Sequence, residues 1–120
     1  MQTAYLSSYA QLPQTVLMLP TTEDSISVNA RAVLAEGETL TSAEWETDDA
    51  GVAGLVSATL DDAEAVCVIR TAVGGYANIR CQLTTSSGRK LPQLFRAEAD
   101  SVPFVDGVSY GGQTLSVSNP

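Results

Sequence analysis

The chain has 120 residues, fourteen acids against six bases, a net charge of −8, no histidine, and 44% hydrophobic residues. That length suits one domain with a real hydrophobic core, and the hydrophobic fraction excludes wholesale disorder. The negative field disfavours nucleic acid and anionic membranes as partners, and without histidine no Ser-His-Asp or Cys-His catalytic arrangement can form within the chain.

Residues 1–22 read as an N-terminal arm or edge strand. Met1–Tyr5 lacks a basic region ahead of an apolar core, so no secretory signal is expected and synthesis is expected in the cytoplasm. Residues 1–12 are either an arm that reaches a neighbouring molecule or a frayed terminus. The apolar run Thr15–Leu19, bounded by Pro13 and Pro20, is far short of the roughly 18 residues of a membrane span and is read as an extended edge strand.

From Asp24 the pattern alternates. Ile26, Val28, Ala30 and Ala32 share one face and Ser25, Ser27, Asn29 and Arg31 the other, the period-two signature of a strand with one buried side. Glu36-Gly37-Glu38 marks a turn. In Leu40–Thr47, Ala43, Trp45 and Thr47 oppose Glu44 and Glu46, so the only tryptophan is expected to point inward. Asp48-Asp49-Ala50-Gly51 closes that strand, Val52–Leu60 is less regular, and Asp61-Asp62 makes another turn. Ala65, Cys67, Ile69 and Thr71 alternate with Val66, Val68 and Arg70, a segment apolar on both sides, as a central strand is.

Gly74-Gly75 breaks that run. Tyr76–Thr85 and Lys90–Ala99 then read as two arms of a hairpin with the polar tip Ser86-Ser87-Gly88-Arg89. Pro92 lacks an amide donor, which points to an edge position or a bulge. After Asp100 the character changes. Pro103–Val108 and Tyr110–Val117 read as a C-terminal extension, an extra hairpin or an extended tail. Short strands at this spacing, with almost no helical periodicity, predict an all-β sandwich or barrel, with 23–100 as the domain and 101–120 as the extension.

Little in the sequence carries chemistry, and no cofactor or metal is expected. Cys67 and Cys81 fall at inward positions and are read as buried, reduced thiols; a bridge becomes geometrically feasible if their strands are neighbours. Asp48-Asp49 and Asp61-Asp62 lack the spacing of a calcium loop and sit where turns favour Asp. Glu44 or Glu46 with Asp61 is one carboxylate combination a glycosidase reading can offer, and nothing in the sequence raises it above any acidic domain.

Arg89, Lys90 and Arg96 gather half of the six bases within eight residues. They either form a positive contact for an acidic partner or guard an edge strand against pairing. Phe104 and Tyr110 in the tail either anchor an interface or fold back over the sandwich.

Ala35-Glu36-Gly37-Glu38-Thr39-Leu40-Thr41-Ser42-Ala43-Glu44-Trp45, then Gly74-Gly75-Tyr76, then Thr84-Thr85-Ser86-Ser87-Gly88-Arg89 and Lys90–Ala99 follow one another in order. This succession resembles the small immunoglobulin-like domains of tailed-bacteriophage virion proteins, over about residues 23–99. The resemblance implies an immunoglobulin-like β-sandwich of about seven strands with extended N- and C-terminal arms. It also implies a non-enzymatic structural role in a virion, with other virion proteins as partners in an oligomeric setting. The expected place is the tail, a fibre or the head–tail junction, with capsid decoration as the alternative and a host-surface or carbohydrate-binding module as a rival. The family supplies no catalytic residues. Ser27 and Asn29 stand where more aromatic content belongs, and the tail beyond Asp100 lies outside the pattern.

Overall fold

A computed structural model describes residues 2–6, 14–18 (backbone only), 23–72, 74–99 and 111–119. Among these there is no helix, and nine strands form. They are β1 (Gln2–Tyr5), β2 (Gln14–Met18), β3 (Glu23–Asn29), β4 (Leu40–Thr47), β5 (Gly54–Leu60), β6 (Glu64–Arg70), β7 (Gly75–Thr85), β8 (Lys90–Ala99) and β9 (Gln113–Ser118).

Alternation dictates which side of each strand is dry. On β4, Ala43, Trp45 and Thr47 are buried while Glu44 and Glu46 are exposed. On β6, Ala65, Cys67 and Ile69 point inward, and Val66 and Val68 are half-buried, in keeping with a strand flanked on both edges by β3 and β5. On β7 and β8 the buried sets are Ala77, Ile79, Cys81 and Leu83, and Phe95 and Ala97. The early run departs from its expected pattern at two places. Ala32 lies in an exposed turn, because β3 ends at Asn29. Ser27 is fully buried and donates its hydroxyl to Thr3 Oγ1 at 2.8 Å, since β1 runs parallel to β3 with Thr3 opposite Ser27.

The strands make two sheets, β1-β3-β6-β5 and β2-β8-β7-β4-β9. Taking β1, β3, β4, β5, β6, β7 and β8 as strands A to G gives an ABED sheet facing a GFC sheet, which is the immunoglobulin arrangement. The fold is an immunoglobulin-like β-sandwich. The two strands beyond the expected seven, β2 and β9, come from the segments read as arms, and so does β1, the first of the seven. β2 lies parallel to β8, from Gln14 opposite Phe95 to Met18 opposite Ala99. Pro92 falls in the part of β8 that β2 does not flank, where a missing amide costs no ladder bond on that side.

Of the tail beyond residue 100, Gln113–Ser118 is a strand of the five-stranded sheet, and the expected partner arm Pro103–Val108 lies outside the described residues. The strand pairs antiparallel with β4, Leu115 opposite Trp45 and Val117 opposite Ala43, and both apolar side chains pack against the core. Burying those two residues is the reason that the chain returns to this edge. Gly111, at φ +72°, turns it into the strand.

The core lies between the sheets. Ile26, Val28 and Ile69 from one face Leu40, Trp45, Ile79, Leu83 and Phe95 from the other, all essentially inaccessible to solvent. The Trp45 and Phe95 rings lie with centroids 6.2 Å apart and planes inclined by 29°. Cys67 and Cys81 are free, buried, and on strands of opposite sheets.

Candidate functional site

Two parts of the surface hold the polar and charged residues singled out by the sequence. The first is the tip of the β7–β8 hairpin. Gly88 N donates to Thr85 O at 2.9 Å and Thr85 N to Arg89 O at 3.0 Å, with Gly88 at φ +89°. That is a tight turn followed by a left-handed residue, a conformation glycine adopts without strain.

The tip is not free. It is clamped to the loop between β3 and β4. Ser86 N donates to Thr39 O at 2.7 Å, and Thr39 N donates to Ser86 Oγ at 3.1 Å. At the centre stands Glu38, its side chain only 5% exposed. Its carboxylate accepts from Arg89 Nε at 3.0 Å, Arg89 Nη2 at 2.5 Å, Thr85 Oγ1 at 2.7 Å, Ala35 N at 2.9 Å and Ser87 Oγ. Arg89 Nη2 also donates to Val33 O at 2.7 Å. The Arg89 guanidinium, and then these amide and hydroxyl donors, hold the Glu38 carboxyl well below the usual carboxylate range. The same pairing raises Arg89.

The second part is the outer face of the five-stranded sheet. Here the outward phase of β7 and β8 carries Tyr76 and Leu94, 64% and 45% exposed. The Arg96 guanidinium lies 4.5 Å from the Tyr76 ring centroid, a cation–π contact, and its Nε is 3.2 Å from Glu98 Oε1. Arg80 sits opposite Leu94, with Nη2 3.5 Å from Glu46 and 3.9 Å from Glu44. Lys90 Nζ donates to Thr84 Oγ1 at 2.8 Å. Beside it, Ser42, Glu44, Gln82, Thr84 and Ser116 line a shallow polar cleft of about 200 Å³.

The expected contact residues therefore divide. Arg89 faces the clamp, Lys90 and Arg96 lie on the outer sheet face, and Phe104 and Tyr110 lie outside the described residues. Glu38, Tyr76 and Leu94 were not singled out by the sequence reading. Tyr76 and Leu94 do carry a signal, being large apolar side chains in the outward phase of alternating runs whose inward phase is already occupied. Glu38 carries none, because all of its side-chain partners lie about fifty positions away and only the Ala35 amide is local.

The acid pairs serve turns. Asp49 Oδ1 accepts from Gly51 N at 2.9 Å, and Asp61 Oδ1 from Ala63 N at 2.9 Å and Glu64 N at 2.7 Å. Asp48 accepts from Asn78 N at 2.8 Å and Asn78 Nδ2 at 3.0 Å, linking the end of β4 to β7. Burial pushes the Cys67 thiol up to about 12 and raises Cys81 further, with a smaller contribution from Cys67. Neither thiol supplies a nucleophile near neutral pH. Among the described residues no three His, Cys, Asp or Glu side chains gather as a metal site.

No family model matches the chain, and no curated protein matches it. Solved structures do, among them that of murine CRIg, at 9% identity and a TM-score of 0.49, covering 74% of this chain and 94% of that one.

Proposed function

We propose that this chain is a non-enzymatic structural subunit of a tailed-phage particle, an adaptor or accessory protein at the tail, a fibre or the head–tail junction. One observation carries the reading. Two of the segments that bear the resemblance, Ala35–Trp45 and Thr84–Arg89, are held together by the Glu38 clamp and the paired Thr39–Ser86 hydrogen bonds. The shared motif is thus an architectural unit that stiffens one end of a sandwich. Stiffness and surface shape are what a subunit between other subunits needs.

The partner-facing surface in this proposal is the outer face of β7 and β8. There an exposed tyrosine and two arginines, residue types that anchor interfaces, stand on the sheet beside an exposed leucine. The role needs no catalysis and no cofactor, and other virion proteins are the partners.

Quantitative mass spectrometry of purified particles tests it. Peptides of this chain in tens of copies or fewer per particle support the tail or junction, and hundreds of copies support capsid decoration. Particles devoid of the chain overturn the proposal. Replacing both Tyr76 and Leu94 with Ser is expected to lower incorporation while the isolated domain stays folded.

A further inference from the structure

We propose that β9 is a strand-pairing edge at which a second copy of this chain docks through its own β9. The inference does not rest on the virion reading. It concerns what the described residues leave unpaired, starting from the backbone. Asn119 N donates to Thr41 O at 2.9 Å, and β9 runs opposite β4 without a register shift from Gln113 to Ser118. In an antiparallel ladder the bonded residues alternate, so 113, 115 and 117 also bond to β4. The N–H and C=O groups of Thr114, Ser116 and Ser118 then point away from it. Among the described residues no strand pairs with that side of β9.

Open edges are normally blunted by a charge, a proline, a bulge or a cover. The neighbouring edge, β5, has two such devices: its pairing with β6 shifts register between Leu55 and Ser57, and the Gln113 side chain covers the Leu55 backbone. β9, with the sequence QTLSVS, has no charge, no proline and no bulge.

A second copy fits this edge for two reasons. First, the strand is self-complementary. In an antiparallel pair about a two-fold axis at Ser116, Ser116 meets Ser116, Thr114 meets Ser118 and Leu115 meets Val117. Hydroxyls then face hydroxyls on the wet side and apolar side chains meet on the core side. The edge-facing backbone groups of 114, 116 and 118 all find partners in this register, and the two five-stranded sheets become one. Second, the contact strand is uncharged in a chain of net charge −8. Two copies approach through β9 without placing like charges opposite one another.

The test is the mass of the full chain in solution by sedimentation equilibrium over a concentration series, with amide hydrogen exchange by NMR. Expected are a species of twice 12.6 kDa and slowed exchange at Thr114, Ser116 and Ser118 in the dimer. Ser116→Pro removes an edge-facing N–H that β4 does not use, so it is expected to give a folded monomer. Ser116→Lys sets two like charges across the axis and is expected to do the same, which covers the case where the proline variant fails to fold. A wild-type chain that stays at 12.6 kDa up to its solubility limit overturns the proposal. So does a dimer whose Thr114 and Ser118 amides exchange freely, or one that survives Ser116→Lys. Heterologous capture of a foreign strand by a chain that never self-associates also counts against it.

Discussion

The Gln113 carboxamide acts as a strand partner for Leu55: Nε2 donates to Leu55 O at 2.8 Å, and Leu55 N donates to Oε1 at 2.8 Å. One side chain from the five-stranded sheet thereby satisfies both backbone groups of a residue on the edge of the other. It does so next to the bulge in β5, where the ladder with β6 loses register. The tail is stitched to the sandwich at this point.

Gln113→Ala strips Leu55 of both partners and is expected to destabilise the fold by about 1–3 kcal/mol. Gln113→Glu is expected to cost more, because it replaces the donor facing Leu55 O with a charged oxygen that repels that carbonyl. Urea midpoints compared with wild type check this, and a midpoint unchanged in both variants refutes the stitch.

Removing residues 101–120 takes away β9 and uncovers β4 beside Trp45 and Ala43. The truncated chain is expected to unfold at lower urea than the full chain and with a smaller dependence on denaturant, since less surface is buried to begin with. An identical midpoint and slope for the two chains contradicts the role assigned to Leu115 and Val117.

Trp45 is fully buried, yet among the described residues its indole Nε1 has no hydrogen-bond partner. Trp45→Ala is expected to cost about 3–5 kcal/mol through lost packing. Trp45→Phe is expected to lose much less, because the indole N–H it discards makes no bond and the stacking with Phe95 is kept. Equal losses in the two variants point to a hydrogen bond at the indole after all.

Glu38 gives the fold an acid limb. Its carboxyl is held below the ordinary value of 4.5 in the folded chain, first by Arg89. A lowered folded value means that this contribution is complete above the unfolded value and drains away as pH falls through the folded one. Wild type is therefore expected to hold its full advantage over Glu38→Gln from neutral pH down to about pH 4.5 and to lose it progressively as pH falls further toward the folded value. Denaturant midpoints of both proteins measured across that range check the sign; a constant gap between them excludes the linkage.

Burial pushes Cys67 up to about 12 and Cys81 beyond it. Neither thiol is expected to react with a disulfide reagent at mildly alkaline pH until the chain unfolds, after which both react. Rapid labelling of the native protein runs against the interior placement.

The period-two pattern was sufficient, without tertiary information, to define the strands that make up most of the sandwich. Inward alternation of Ala43, Trp45 and Thr47, or of Ala65, Cys67 and Ile69, is a local property, because successive side chains on a strand must point to opposite faces. The hairpin around Gly88 was legible for the same reason: turn geometry and glycine conformation are set within a few residues. What only the tertiary structure decided is which distant segments meet. Glu38 finds Arg89 fifty-one positions on, Gln113 finds Leu55 fifty-eight positions back, and Leu115 comes to lie against Trp45. Those meetings turn a basic tip into a closed clamp and a tail into a sheet edge. They follow from closing two sheets around one core, a requirement on the whole chain that no local window of residues expresses.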